Sequence, residues 1–324
     1  MTRPLICLTL GDMNGIGPEV GLRAVEALGD DASIVVVGDK LVVEQAASLV
    51  GCRRDLHAFD PASGKAPPPG RLSFIDTGTG AGRSHTPGRS TREAGIDTVV
   101  AQDIAFALAR KGQVQASVMG PVNADSIALS GMRKTAMDPS LGSFYLFLVS
   151  GTLRIAHLTD HMPLVEVCTR EVKQARVALL LTTLHRCLSA WGMPHPRIAV
   201  AGLNPHCRGA EDRDEIAPAV SQARAAGIDA VGPISPDSVF RECIDGRFDA
   251  VAAMYHDQGH IALKSWGFSA GTTVFMGLPF LHLTVAHGSA YDIAGQGKAD
   301  AAPMIAALKL ADALAAGRGF GEVS

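Results

Sequence analysis

The chain alternates between short, almost wholly apolar segments and longer segments whose apolar residues have helical spacing. The apolar segments are of strand length, and their near-continuous apolar character is typical of strands that are buried on both faces of a sheet. Polar side chains cluster at the ends of several of these segments. The predicted strands cover residues 5–10, 33–38, 115–120, 154–159, 197–203, 249–255 and 272–277.

Helical patterns fill intervals between these strands. Residues 91–111 and 170–190 have helical spacing, and residues 302–317 close the chain as a helix. Strands that alternate with helices favour a mainly parallel sheet with both faces covered. The sequence therefore predicts an α/β fold. Residues 58–71 are rich in proline and glycine and are expected to form a surface loop.

Composition narrows the classes of protein to consider. The 324 residues suffice for two domains, and a net charge of −3 without a basic stripe argues against a nucleic-acid partner. No segment approaches the roughly 18 apolar residues of a membrane helix, and the N-terminus lacks a signal-peptide layout. We therefore expect a cytoplasmic protein with no membrane partner. The six cysteines are widely spaced without a C-x-x-C pair, which indicates reduced thiols.

Three histidines, His161, His206 and His256, each follow a predicted strand closely. In open α/β sheets, ligands bind at the carboxyl ends of the strands. Three imidazoles gathered there would suit zinc or a similar divalent ion and would leave coordination positions open for substrate. The alternative for each is a histidine that is satisfied by a backbone carbonyl. His157 and His260 are rival candidates for ligand roles.

Two glycine-containing loops are candidates for binding a ligand through their backbone. The first, "GDMNGIGPEV", joins a strand to a helix, but Val20 stands where a G-x-G-x-x-G dinucleotide fingerprint needs glycine. A plain strand–helix turn is an equally good interpretation of it. The second, "HGSAYDIAGQGKAD", is more specific, because its glycines allow close backbone approach and Asp292 can hold a pair of hydroxyls. We expect a helix to begin directly after it, with its N-terminus facing a phosphate.

Four motifs in order, "GD-x-x-GIGPE", "GLNPH", "YHDQG-x-x-x-x-K" and "HGSA-x-DIAG-x-GKAD", resemble the 4-hydroxythreonine-4-phosphate dehydrogenase family. The resemblance implies an isocitrate/isopropylmalate dehydrogenase-like fold of two α/β/α domains with a cleft between them. It implies domains at 1–128 plus 286–324 and at 129–285. It also implies a homodimer whose interface carries the active site, with a divalent metal, expected to be zinc, on His161, His206 and His256. NAD or NADP would then contact Gly11, Asp12, Gly15, His287, Gly288, Ser289, Ala290, Asp292 and Gly295.

The departures from this family bear on the substrate. The family's His-Thr pair and its substrate arginine are absent, and His282 occupies the arginine's position. An arginine fork suits phosphate, so its absence favours a substrate without phosphate. Terephthalate cis-dihydrodiol dehydrogenase is a second resemblance, carried by "P-S-L", "HDQGH" and "GHGSA-x-DIAG"-like segments. Candidate substrate contacts are Lys264, His260, His282, Ser140 and Thr273.

These resemblances imply oxidation of a secondary alcohol by NAD(P), followed by loss of CO₂. The expected reaction converts terephthalate cis-dihydrodiol to protocatechuate. Lys264 would pair with a substrate oxygen or relay a proton, and Asp257 would support a metal-bound histidine or bind a backbone amide. The first alternative is a dehydrogenase of 4-phosphohydroxythreonine or a related phosphorylated hydroxy acid. The second is a metal hydrolase or lyase that uses no NAD, and the third is a non-catalytic small-molecule binder.

Overall fold

The computed structural model describes residues 3–132, 144–267 and 271–321. Its strands are β1 (Leu5–Thr9), β2 (Ser33–Gly38), β3 (Asp55–Ala58), β4 (Arg71–Asp76), β5 (Ala116–Met119), β6 (Tyr145–Ser150), β7 (Leu153–His157), β8 (Ile198–Ala201), β9 (Ala230–Ile234), β10 (Ala250–Ala253), β11 (Thr272–Met276) and β12 (Leu281–Val285). Its helices are α1 (Gly17–Leu28), α2 (Lys40–Val50), α3 (Arg92–Arg110), α4 (Ala124–Ser130), α5 (Leu164–Glu166), α6 (Gln174–Ala190), α7 (Ala217–Ala225), α8 (Val239–Ile244), α9 (His256–Trp266) and α10 (Ala302–Ala315).

The chain folds into two compact units. The first consists of Met1–Gly142 and Leu278–Ala316, and the second consists of Ser143–Gly277 and Gly317–Ser324. The predicted domains likewise combine an N-terminal and a C-terminal part of the chain into the first domain. They differ in their boundaries, and the segment after Ala316 belongs to the second unit instead of the first.

The first unit contains a wholly parallel sheet with the order β3-β4-β2-β1-β5-β12. Every residue of β1 and β5 is buried, as expected for central strands with helices on both faces. One face packs against α3, where Ala101 and Ala105 contact the core around Cys7 and Val35. All carboxyl ends in this sheet point the same way, so the loops that follow β1, β4 and β12 emerge on one edge.

The second unit contains a mixed sheet with the order β11-β6-β7-β10-β8-β9. The pairs on either side of β6 are antiparallel, whereas β7, β10, β8 and β9 are parallel to one another. The core on one face joins Ile155, Ala199 and Val251 from three neighbouring strands with Leu263 of α9. The strands of the two units confirm the predicted α/β fold with mainly parallel strands.

All seven predicted strands are present, and Ser33–Gly38 coincides with its predicted range. The predicted helices at 91–111, 170–190 and 302–317 correspond to α3, α6 and α10. The residues 58–71 connect β3 to β4, as expected for a surface loop. Within the described ranges, no helix is both long and apolar enough to cross a membrane, and all six cysteines are free.

Candidate active site

The three candidate metal ligands follow three neighbouring strands of the second unit. β10 lies between β7 and β8 and is parallel to both, with Ala253 opposite His157 and Ala252 opposite Val200. His161, His206 and His256 follow the carboxyl ends of β7, β8 and β10, so they emerge at the same edge of the sheet. The position of each histidine after a strand end follows from the sequence, and their shared role as metal ligands stays a prediction.

Buried polar contacts tie these strand ends together. The Gln258 side chain donates to the Gly202 carbonyl at 2.8 Å and accepts from the Met254 amide at 2.7 Å. The hydroxyl of Thr159 donates to the Met254 carbonyl at 3.1 Å. Gln258 and Thr159 are both buried, so these bonds are shielded from water and fix the bases of the loops.

His161 and His256 lie together, with Asp160 beside them. The ring centroids of the two histidines are 4.6 Å apart. One ligand atom from each of the three side chains lies within 4.8 Å of the others, and this is the one such group of three or more among the described residues. Asp160 was not predicted, although its position next to His161 in "TDHMP" was a usable signal.

The donor set of this cluster fits a divalent cation. His256 Nδ1 lies 2.7 Å from Asp257 Oδ1. A carboxylate accepts, so Nδ1 carries the proton and the Nε2 lone pair is free to bind metal. Asp160 Oδ1 is buried without a hydrogen-bond partner among the described residues, although it lies 2.6 Å from His161 Nδ1. Two imidazoles and a carboxylate oxygen are typical ligands for zinc and similar ions.

Asp257 was expected to support a metal-bound histidine or to bind a backbone amide. Its side chain is exposed, and the hydrogen bond from His256 lowers the pKa of its carboxyl. This contact holds the His256 ring in the tautomer that a metal requires. The catalytic role of Asp257 stays a prediction.

His206 lies outside the close cluster that the described residues form. It lies on a short helical turn, Pro205–Cys207, with a positive φ of 52°. The buried carboxylate of Asp212 organises this loop by accepting from the backbone amides of Leu203 and Gly209, at 2.7 Å and 3.0 Å. Sequence inspection missed Asp212, because nothing in a helical segment marks one carboxylate as the centre of a preceding loop. The ligand role of His206 stays a prediction.

Residues 258–260 lie within helix α9. α9 begins at His256, so His256, His260 and Lys264 recur at four-residue intervals along one side of it. His157, the last residue of β7, is 1% exposed, and burial lowers its pKa to about 3. Burial also lowers the pKa of the half-buried His260. Lys264 is exposed in the last turn of the helix.

Three further residues were predicted to contact the substrate: Ser140, Thr273 and His282. Ser140 lies outside the described residues. Thr273 is buried in β11, and its role stays a prediction. His282 is fully buried in the first unit, where its Nδ1 lies 3.3 Å from the Ser117 hydroxyl and its ring packs edge-on against Phe106. Burial lowers its pKa to about 4. A neutral histidine enclosed in the core does not fit the predicted contact with a substrate carboxylate.

The two predicted cofactor loops meet in the first unit. The amide of Ile16 donates to the Ser289 carbonyl at 2.9 Å. A Cβ at Gly15 would lie 2.7 Å from the Ser289 Cβ, so glycine is required for this contact. The Gly295 amide donates to Glu19, whose side chain is buried at the start of α1. The sequence predicted both loops but held no sign that Glu19 joins them.

Several of the predicted cofactor residues have structural roles of their own. Asp12 is fully buried and accepts from the Asn14 amide at 2.8 Å, so it holds the loop and offers no surface to a cofactor. Gly11 has a φ of 74°, and Ala290 has a φ of 40°. His287, Gly288 and Asp292 are at least partly exposed and remain candidate contacts. The expected helix directly after this loop is wrong: turns occupy residues 291–297, and α10 begins at Ala302.

Tyr291 connects the two loops to a third element. Its hydroxyl donates to Asp12 Oδ2 at 2.9 Å and lies 3.0 Å from the hydroxyl of Ser126 in α4. Burial raises the pKa of Tyr291, so the hydroxyl keeps its proton and stays a donor. Tyr291 is the variable position of the motif "HGSA-x-DIAG", so the sequence predicted no role for it.

We expect Tyr291→Phe to lower the free energy of unfolding by about 1.5–3 kcal/mol, the usual range for a hydrogen bond to a charged group. The buried carboxylate of Asp12 loses a donor that water has little access to replace. Urea unfolding followed by circular dichroism measures the change. Tyr255→Phe is a matched control, because the described residues show no bond from its hydroxyl to a buried carboxylate. Equal stability of wild type and Tyr291→Phe would show that the bond contributes nothing.

Known proteins are similar to this chain over nearly its whole length. The family model for pyridoxal phosphate biosynthetic protein PdxA matches residues 30–311. A relative from Novosphingobium aromaticivorans, provisionally named a 4-hydroxythreonine-4-phosphate dehydrogenase, is 47% identical over 320 residues, which cover 98% of this chain and 97% of the relative. The D-threonate 4-phosphate dehydrogenase of Salmonella typhimurium is 33% identical over 328 residues, which cover 97% of this chain and 100% of the relative.

Solved structures are also similar to this chain over nearly its whole length. The 4-hydroxythreonine-4-phosphate dehydrogenase of Klebsiella pneumoniae is 34% identical with a TM-score of 0.87, and the match covers 97% of this chain and 98% of that chain. A terephthalate 1,2-cis-dihydrodiol dehydrogenase from Burkholderia xenovorans is 29% identical with a TM-score of 0.72, over 96% of this chain and 98% of that chain.

These comparisons overturn the predicted substrate. The expected conversion of terephthalate cis-dihydrodiol, and with it a role in the catabolism of aromatic compounds, is wrong. The family model describes a pyridoxal phosphate biosynthetic protein, and the more similar relatives are named as dehydrogenases of phosphorylated compounds. The terephthalate enzyme is the more distant neighbour. The error has a physical explanation. Lysine and backbone amides also bind phosphate, so a missing arginine does not exclude it.

Proposed function

Because the chain belongs to the PdxA family of pyridoxal phosphate biosynthetic proteins, we propose that it oxidises a four-carbon phosphorylated hydroxy acid. The candidate substrates are 4-hydroxythreonine 4-phosphate and D-threonate 4-phosphate, which the names of its relatives specify. Both have a secondary alcohol, and its oxidation to a ketone releases a hydride and a proton. A dehydrogenase needs an acceptor for the hydride, and we propose NAD or NADP in that role.

The observation that carries the proposal is the cluster of His161, His256 and the carboxylate of Asp160. We propose that His161 and His256, with His206 from the adjacent strand, hold a divalent ion, and zinc suits these ligands. When bound, such an ion lowers the pKa of a coordinated hydroxyl and stabilises negative charge on its oxygen. The cluster is the feature that a plain small-molecule binder would not need.

The remaining roles belong to side chains of this chain. Asp257 accepts a hydrogen bond from the Nδ1–H of His256 and so keeps the ring oriented. Lys264, an exposed cation on the same side of α9, is placed to pair with an anionic group of the substrate or to move the proton of the hydroxyl. In the first unit, the joined loops around Ser289 and Gly295 are the proposed seat of the nicotinamide cofactor, through His287, Gly288 and Asp292.

Loss of CO₂ is a further part of the proposal. In 4-hydroxythreonine 4-phosphate the secondary alcohol lies β to the carboxylate, so its oxidation gives a β-keto acid. Such acids lose CO₂ readily, because the carbonyl accepts the electron pair of the breaking carbon–carbon bond. Release of CO₂ in equal amount to NADH would support this part, and NADH without CO₂ would rule it out.

The experiment that tests the proposed reaction follows NADH or NADPH absorbance with each of the two phosphorylated substrates. We expect one of them to give reduced cofactor, and we expect a chelator to abolish the reaction and added Zn²⁺ to restore it. A chelator-resistant reaction would contradict the metal role, and absence of reaction with both substrates and both cofactors would contradict the proposed function. We also propose a homodimer, which the elution volume in size-exclusion chromatography tests.

A further inference from the structure

Four histidine rings form a continuous series in the second unit, from the core of the sheet to its exposed edge. The centroids of His157 and His260 are 5.0 Å apart, those of His260 and His256 are 3.6 Å apart, and those of His256 and His161 are 4.6 Å apart. Two members of this series, His256 and His161, belong to the candidate metal cluster. The other two are imidazoles for which the proposed reaction gives no role.

The inner end of the series is fixed in place. His157 is the last residue of β7 and is buried, and its Nδ1 lies 3.2 Å from the Leu146 carbonyl of β6. A Cβ at Gly259 would lie only 2.2 Å from His157 Nε2, so glycine lets α9 approach this ring. His157 is therefore a rigid surface against which the next ring packs.

His260 fills the space between His157 and His256. Its Nδ1 lies 3.0 Å from the carbonyl oxygen of His256, one helical turn earlier, and donates to it. Its ring stacks on that of His256 with an interplanar angle of 14°. The backbone contact fixes the His260 ring from one side, and the His157 ring supports it from the other.

We propose that His260 is a positioning residue, whose ring fixes His256 by stacking so that the Nε2 of His256 is presented to a metal ion. The proposal rests on the proposed function, since it takes His256 as a metal ligand. A ligand that is held in its binding rotamer loses less conformational entropy when the metal binds. Removal of the His260 ring should therefore weaken metal binding without removing a ligand.

The stacking geometry argues against His260 as a ligand of the same ion. The lone pair of an imidazole nitrogen lies in the plane of its ring. In two stacked rings inclined by 14° the lone pairs lie in nearly parallel planes, whereas two ligands of one ion need lone pairs that converge on it. The close cluster that the described residues form likewise contains His256 and His161 but not His260.

Two substitutions separate stacking from ligation. His260→Ala removes the ring, whereas His260→Phe keeps a flat ring for stacking but has no nitrogen. We measure Zn²⁺ affinity of the metal-depleted full-length protein by calorimetry, together with the visible spectrum of the Co²⁺-loaded protein. We expect His260→Ala to weaken Zn²⁺ binding by about 10–100-fold, the usual effect of losing a residue that supports a ligand. We expect His260→Phe to bind Zn²⁺ nearly as tightly as wild type, with the wild-type Co²⁺ spectrum.

Each outcome has a distinct meaning. Equal weakening by both substitutions, with an altered Co²⁺ spectrum in both, would overturn the proposal and indicate a nitrogen ligand. Unchanged affinity in both would also overturn it. Absence of Zn²⁺ binding by the wild-type protein would instead contradict the metal site of the proposed function, and the positioning role with it. His195→Ala is the matched control, since His195 is an exposed loop histidine of the same unit.

Discussion

Replacement of His256 by alanine is expected to abolish metal binding at the candidate site and to lower kcat/KM on the order of 10²–10³-fold or more. His256 contributes one of the two imidazoles of the close cluster, and its Nε2 is free because Nδ1 is bonded to Asp257. The remaining pair, His161 and Asp160, is exposed or half-exposed and holds a divalent ion weakly on its own. Calorimetry with Zn²⁺ and the rate of NADH formation measure the two effects.

The His256→Ala effect should be separable from a loss of folding. The side chain is half-buried at the first residue of α9, where alanine is well tolerated, so the urea midpoint should change little. His195→Ala, a substitution at an exposed loop position, should bind Zn²⁺ and turn over like wild type. If His256→Ala kept both metal binding and activity, the cluster would not be the active site.

Replacement of Gly11 by alanine is expected to lower the free energy of unfolding by about 2–5 kcal/mol. The φ of 74° at this position costs an alanine about 1–2 kcal/mol. The added Cβ would also lie 2.2 Å from the Pro121 carbonyl oxygen, and such overpacking costs about 1–3 kcal/mol. The carbonyl belongs to the backbone after β5, so it has little freedom to move away. Urea unfolding measures the total.

A second glycine separates the two contributions to the Gly11→Ala effect. Gly51, at the end of α2, has a φ of 67°, but a Cβ at this position would have no heavy atom within 4 Å beyond its chain neighbours. Gly51→Ala should therefore show the cost of φ alone, about 1–2 kcal/mol. Equal losses for Gly11→Ala and Gly51→Ala would mean that Pro121 relaxes at no cost and that the first loop is less tightly packed than the structure indicates.

The hydrophobic pattern predicted the fold class and seven of the twelve described strands, but not β6, although five of its six residues are buried. Strands such as β2 and β10 are continuous apolar runs, because each is covered on both faces. β3 and β9 were not predicted, since they stand at the two ends of the strand order and have mainly exposed or half-exposed residues. An edge strand carries a weaker pattern, because only part of it is buried.

The site could be predicted as far as strand topology determines it. The histidines were located because strand ends in a parallel sheet converge on one edge. Contacts that depend on side-chain direction had no sequence signal: Asp212 within the His206 loop, and the ring of His260 on that of His256. His282 shows the opposite error, because its place in a motif suggested an exposed contact and the strand places it in the core.

The substrate was mispredicted because the inference relied on the absence of groups. Phosphate is recognised through its charge and its acceptor oxygens, and several combinations of lysine, arginine and backbone amides meet that need. The loss of one arginine therefore says little without knowledge of what replaces it. Exposed Lys264 remains in the described part of the chain as a candidate for binding the phosphate.

Oxidation of a phosphorylated substrate is best tested by comparing D-threonate 4-phosphate with D-threonate, and 4-hydroxythreonine 4-phosphate with 4-hydroxythreonine, in one NADH assay with Zn²⁺ present. We predict that one phosphorylated substrate is oxidised and that its unphosphorylated form has a kcat/KM lower by about 10²-fold or more. That factor corresponds to the loss of one or two charge-assisted hydrogen bonds. Equal kcat/KM for the phosphorylated and unphosphorylated forms, or oxidation of neither pair, would refute the proposed function.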